Sequence, residues 1–83
     1  MPEQYNVNDY FKISDIAMAA AISLHVPIEA INRYNPQRVE FIFERNGQLE
    51  KLLRIYWRNE MRVEPKEYFN QLKILKSRLY GQE

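Results

Sequence analysis

A change of hydrophobic period at Asn46-Gly47 is the feature that most constrains the fold of this chain. Before it, three large apolar side chains alternate with Glu40, Ile42 and Glu44, which is the period of a strand with one buried face. Those apolar residues are Val39, Phe41 and Phe43. After it, leucines recur at intervals of three or four residues, which is the period of an amphipathic helix. The two periods in one short chain predict an α+β domain.

Two further elements are predicted before residue 26. Tyr10–Ile13 has the composition of a short strand. Residues 15–25, with the sequence DIAMAAAISLH, are apolar almost all round, which predicts a helix buried on more than one side. Pro27 disfavours helical geometry in the residue before it, so this helix should end near His25.

Capping residues predict where the three helices begin. Ser14 can accept a hydrogen bond from the first turn of the first helix, and Asp15 then lies in that turn, where a negative charge suits the helix dipole. Asn46 can cap the second helix in the same way. Pro65 suits the first turn of the last helix.

Residues 28–34 are compatible with two structures. Ile28, Ile31 and Tyr34 recur at three-residue spacing, which favours a helical turn started by Pro27. A strand followed by a turn at Asn35-Pro36 would instead form a hairpin with the strand that comes next. We favour the strand.

The two C-terminal helices each carry an apolar stripe. Their stripe residues are Leu49, Leu52, Leu53 and Tyr56 in one, and Tyr68, Leu72, Leu75 and Leu79 in the other. Gly81 is a plausible C-terminal stop. The predicted order is β-α-β-β-α-α, with an antiparallel sheet of two or three strands packed on three helices. We expect one domain over residues 9–81, a flexible N-terminus over residues 1–8 and a frayed end over residues 82–83.

Composition predicts a cytoplasmic protein that does not enter a membrane. The 83 residues include no cysteine, so disulfides and thiolate chemistry are excluded. The first residues lack the features of a signal peptide. The longest apolar stretch, Ile16 to Ile22, is far shorter than the roughly 20 residues that cross a bilayer.

No set of residues in the sequence predicts a reaction. His25 is the only histidine, and no carboxylate stands at a spacing that would pair with it as an acid-base or metal site. The two glycines cannot form a glycine-rich loop for phosphates. We therefore expect a protein that is not an enzyme, with no cofactor, no metal and no small-molecule substrate.

Positive charge is concentrated in the second half of the chain. Residues 31–83 hold eleven of the twelve Lys and Arg residues but seven of the eleven Asp and Glu residues. Lys51, Arg54, Arg58 and Arg62 would form one cationic stripe on a continuous helix, with Trp57 beside it. Such a stripe can contact phosphates while the ring stacks on a base, although a solvated outer helix face has the same pattern. Glu50 is expected to pair with Arg54 and shorten the stripe.

Two apolar features are candidate protein contacts. Trp57 should either pack against the last helix or serve as a partner anchor. On the sheet, Ile42 and Ile31 could lie on the face away from the helices and form a small contact strip. Because the net charge is only +1, a protein partner or self-association is favoured over the alternative, nucleic acid.

Several short motifs together resemble a family of short prokaryotic and phage-borne domains of unknown function. They are Ser14-Asp15 before the Ala-rich helix, Phe41-x-Phe43, Tyr56-Trp57, Pro65-Lys66-Glu67-Tyr68-Phe69 and Leu75-Lys76-Ser77-Arg78-Leu79-Tyr80. The resemblance covers about residues 10–80 and departs from the family where His25-Val26-Pro27 replaces an expected glycine. It implies the predicted element order and no catalytic residue.

Overall fold

A computed structural model describes residues 9–35 and 37–80. Its elements are β1 (Tyr10–Ile13), α1 (Ile16–Ser23), β2 (Ala30–Asn32), β3 (Glu40–Glu44), α2 (Gly47–Trp57) and α3 (Pro65–Tyr80). The α+β class and the order β-α-β-β-α-α are therefore confirmed. The predictions for residues 1–8, Gly81 and residues 82–83 lie outside the described residues.

The sheet is antiparallel and has the strand order β1-β3-β2. β3 lies in the middle and pairs with β1 from Tyr10↔Glu44 to Ile13↔Phe41 and with β2 from Ala30↔Ile42 to Asn32↔Glu40. Of the two structures considered for residues 28–34, the strand is the correct one. Residues 30–32 pair with β3, as the hairpin interpretation required, and seven residues separate the two strands.

One helix start differs from the prediction. Asp15, not Ser14, caps α1, and its Oδ1 accepts hydrogen bonds from the backbone N–H of Ala17 at 2.9 Å and of Met18 at 3.4 Å. The helix begins one residue later than expected, which puts Asp15 in the extended conformation of a cap. The other two starts are confirmed: Asn46 accepts from Leu49 N–H at 2.9 Å, and α3 begins at Pro65.

The core lies between one face of the sheet and the helices. β1 and β3 contribute Ile13, Phe41 and Phe43, and both predicted helix stripes pack against them. The largest fully buried side chains in this cluster are Phe41, Phe43, Ile22, Leu49 and Leu75. Val39, which was expected in the same buried face, precedes β3 and is only half-buried.

Helix α1 is the buried helix that its composition predicted. Met18 through Ile22 are all buried, and the alanines allow a close approach to α3. The helix ends at Ser23, with the N–H of His25 donating to the Ile22 carbonyl at 3.0 Å. Across the described residues, no helix is both long enough and apolar enough to span a bilayer.

Candidate functional site

The predicted cationic stripe is not continuous. α2 ends at Trp57, Arg58 is its C-cap, and Asn59 has a φ of 60°. Arg62 therefore lies in the loop that follows, where its guanidinium donates to the carbonyls of Asn59 at 3.3 Å and Met61 at 3.1 Å. The prediction that Arg62 shares a helix face with the other three cations is wrong, because the helix stops five residues before it.

The predicted pair between Glu50 and Arg54 is also wrong. Glu50 binds the guanidinium of Arg45 at 2.9 Å, and this guanidinium lies 5.1 Å from the centre of the Phe11 ring. Arg45 stands just before the N-cap of α2, so it reaches the first turn of that helix. Within the described residues, Lys51, Arg54 and Arg58 have no ion-pair partner. Three free cations thus remain on the outer side of α2.

Trp57 does not pack into the interface with the last helix, so that interpretation of the residue is wrong. Its side chain is 69% exposed, and its ring makes an edge contact with the ring of Tyr56 at 5.6 Å between centroids. Tyr56 occupies the inward position at the end of α2, which leaves its neighbour at the edge of the helix. Trp57 is therefore available to a partner.

An open groove of about 490 Å³ lies beside Trp57. It forms where α1, the end of α2, the following loop and the start of α3 meet. Its lining is Ala17, Ala21, Tyr56, Trp57, Asn59, Met61, Val63 and Tyr68. The lining is mostly aromatic and aliphatic, so the groove suits an apolar side chain.

The two tyrosine hydroxyls of the groove have defined surroundings. The Tyr68 hydroxyl donates to the Ala17 carbonyl at 3.1 Å and joins α3 to α1. Burial, followed by the negative charge of Asp15 and the proximity of Tyr68, raises the pKa of Tyr56 above its usual 10.0. Tyr56 therefore stays neutral at physiological pH, and the groove wall that it forms is uncharged.

The two isoleucines predicted to form a strip on the outer sheet face lie on opposite faces of the sheet. The register pairs Ile31 with Phe41, and Ile31 packs against the core, so the prediction that it faces outward is wrong. Ile42 lies on the outer face between Lys12 and Ala30, yet only 2% of it is exposed. Both isoleucines nevertheless line an open depression of about 690 Å³, together with Tyr34.

His25 is exposed where the chain leaves α1. Over residues 9–35 and 37–80, no three His, Asp or Glu side chains come close enough together to hold a metal ion. The expectation that the protein is not an enzyme stays a prediction.

Sequence reasoning missed Met61 and Val63, which line the groove from outside any helix. It extended α2 as far as Arg62 and assigned no role to either residue. The available signal was Asn59, because asparagine is the residue after glycine that most often adopts the left-handed conformation at a helix end.

No curated protein and no solved structure shows significant similarity to this chain. A family model described as a domain of unknown function, DUF5659, matches residues 8–81. Because that match spans nearly the whole chain, the protein belongs to the DUF5659 family.

Proposed function

We propose that this domain is a non-catalytic binding module that uses the groove beside Trp57 to contact another protein or a second copy of itself. The observation that supports the proposal is the exposed Trp57 ring at the edge of an open apolar groove. Tryptophan is among the residues that contribute most at protein interfaces, and concave apolar surfaces accept such anchors.

The charges near the groove suit a protein partner. The net charge of the chain is only +1, so a polyanion gains little from long-range attraction. Arg54 and Arg58 flank Trp57 on α2 and can contact carboxylates at the rim of an interface whose centre is apolar.

Light scattering coupled to size exclusion tests the self-association form of the proposal. We expect a dimer in the wild type and a monomer in Trp57→Ala, whereas Tyr34→Ala should leave the dimer intact. Tyr34 is a suitable control because it is exposed and lies outside the groove. A strictly monomeric wild type at high concentration would exclude a second copy as the partner.

A quantitative pull-down from native lysate tests the form with a different protein partner. The partner should be captured by the wild type and by Tyr34→Ala, and its yield should fall at least several-fold with Trp57→Ala. Equal recovery on all three baits would remove the groove from the proposal.

Nucleic-acid binding through α2 is the second candidate. It is supported by Lys51, Arg54 and Arg58, which lie on one side of α2 with no ion-pair partner among the described residues. Binding of this kind weakens as salt rises, because counterions are released. Arg54→Glu combined with Arg58→Glu should abolish it, and no shift with DNA or RNA at low salt would rule it out.

The setting of the domain is also part of the proposal. We propose a cytoplasmic location, which the absence of cysteine supports, in a prokaryotic or phage-infected cell, which the sequence resemblance supports. Fractionation of cells that express the tagged protein tests the location.

A further inference from the structure

One flank of α3 combines lysines with exposed aromatic rings. Its residues are Lys66, Phe69, Lys73, Lys76 and Tyr80, at spacings of three, four, three and four. At about 100° per residue these five lie within an arc of about 80°. We refer to them as the α3 flank.

The two rings of the α3 flank lie mostly outside the core, although the Phe69 ring is 6.0 Å from the ring of Tyr68, which packs against the core. Phe69 is 61% exposed and Tyr80 is 80% exposed. The core stripe of α3 runs along a different side, and its residues are Tyr68, Leu72, Leu75 and Leu79. Exposed rings of this size contribute little to folding, so their position beside lysines calls for another explanation.

The charge of the α3 flank is uncompensated. Within the described residues, Lys66, Lys73 and Lys76 form no ion pair. Glu67 is the only acid in the sixteen residues of α3, which also include Arg78. The helix therefore presents a net positive surface to an anionic partner, interrupted by Glu67 in its first turn.

Each ring lies in a shallow depression that also contains a cation. Phe69 lines one of about 530 Å³ together with Lys66, Lys73 and the acidic Glu67. Tyr80 lines another of about 400 Å³ together with Arg38. The rings are eleven residues apart, or about 16 Å along the axis at 1.5 Å per residue. A cation and an exposed ring therefore lie together near both ends of α3.

We propose that the α3 flank binds single-stranded nucleic acid, with phosphates on the lysines and bases stacked on Phe69 and Tyr80. Alternation of cations and rings along a line is the arrangement that contacts a single strand without reading its sequence. A duplex fits less well because its base faces are stacked on one another. An anionic membrane fits less well because the apolar stripe of α3 is turned into the core and only two rings project.

This inference goes beyond the proposed function because it uses neither the groove nor the α2 cations, and its partner is a single-stranded nucleic acid rather than a protein. The α2 cations supply an internal control: Lys51, Arg54 and Arg58 are equal in number to the flank lysines and are equally free of ion pairs among the described residues. Replacing either set by glutamine removes the same amount of charge.

The experiment is fluorescence anisotropy of a labelled oligo(dT) of about 15 nucleotides, titrated with the full chain at several salt concentrations. We expect Lys66→Gln, Lys73→Gln and Lys76→Gln together to weaken binding and to reduce the magnitude of the salt slope by about two, at about 0.7 per phosphate contact on a single strand. Phe69→Ala with Tyr80→Ala should weaken binding at least about tenfold with the slope unchanged, since only stacking is lost.

Circular dichroism verifies that each variant is folded. Phe69→Leu gives a milder test, because it keeps an apolar side chain while it removes the ring.

Several outcomes would overturn the proposal. They are absence of binding at low salt, greater loss from the α2 triple variant than from the flank triple variant, and binding unaffected by removal of both rings. Equal affinity for a duplex or for vesicles with phosphatidylserine would also overturn it. None of these outcomes bears on the groove, which Trp57→Ala tests separately.

Discussion

The backbone N–H of Glu60 donates a 3.0 Å hydrogen bond to the carbonyl of Ile55, and this bond ends α2. Asn59 N–H donates to the Tyr56 carbonyl at 3.0 Å, so the two bonds form a Schellman motif around the left-handed Asn59. The chain then turns sharply. As a result Met61 and Val63 line the groove beside Trp57.

This helix end predicts opposite effects of two substitutions at Asn59. Asn59→Gly should leave the free energy of unfolding unchanged or raise it, because glycine adopts a φ of 60° without steric cost. Asn59→Val should lower it by about 1–2 kcal/mol, because a β-branched side chain is strained at a positive φ that asparagine tolerates. Urea unfolding measures both. A valine variant as stable as the wild type would contradict the assigned backbone conformation.

Adjacent residues of α3 should respond very differently to truncation. Leu75 is fully buried and Ile74 is 43% exposed. Leu75→Ala should lower the free energy of unfolding by about 2–5 kcal/mol, because it leaves a cavity in the core. Ile74→Ala should change it by less than about 1 kcal/mol. Equal effects in urea unfolding would mean that α3 is rotated relative to the sheet.

The raised pKa of Tyr56 predicts a loss of stability at alkaline pH. Above pH 10.0 an unfolded tyrosine loses its proton while folded Tyr56 keeps it, so the folded state binds more protons and the free energy of unfolding falls as pH rises. Tyr56→Phe should show a smaller decline than the wild type in chemical unfolding measured from pH 9 to 11. An identical pH dependence would contradict the prediction.

Asp15→Asn isolates the contribution of charge to that pKa. Asparagine retains the capping oxygen of α1 but removes the negative charge that disfavours ionised Tyr56. We expect the Tyr56 pKa to fall toward 10.0 in the variant, as followed by carbon NMR of labelled tyrosine, while α1 stays intact. A pKa that rises or does not move would show that Asp15 has no such influence.

The ion pair between Arg45 and Glu50 should contribute little to stability despite its short distance. Both side chains are partly exposed, at 33% and 42%, so water screens their attraction. A double-mutant cycle with Arg45→Met and Glu50→Gln should give a coupling free energy below about 1 kcal/mol. Arg45→Met keeps an apolar stem over Phe11 and so separates packing from charge. A coupling energy well above this value would require stronger shielding from solvent.

The elements of this fold could be predicted because each rests on a pattern that spans many residues. The apolar stripe of α3 and the alternation around Phe41 remain recognisable even when the predicted end of the element is wrong by one residue. The face of Ile31 could not be derived in this way, because β2 has three residues and its register depends on the turn before β3. Ile31 lies on the same face of the sheet as Phe41, the residue with which it pairs.

The errors at the candidate site have a common physical origin. The end of α2 depends on one left-handed residue, and the partner of Glu50 depends on how Arg45 lies over Phe11. The first is set by backbone geometry and the second by the placement of a side chain, and hydrophobic periodicity encodes neither. The exposure of Trp57 follows from the same geometry.

The central position of β3 has a consequence for the order in which the domain is completed during synthesis. β1 leaves the ribosome first, but the strand with which it pairs is made about thirty residues later. The apolar surface of α1 stays uncovered for longer still, because its main cover is α3, which is the last element of the domain to be synthesised. A chain that stopped before residue 65 would lack the main cover of its alanine-rich helix, and such a fragment should expose apolar surface to which chaperones bind.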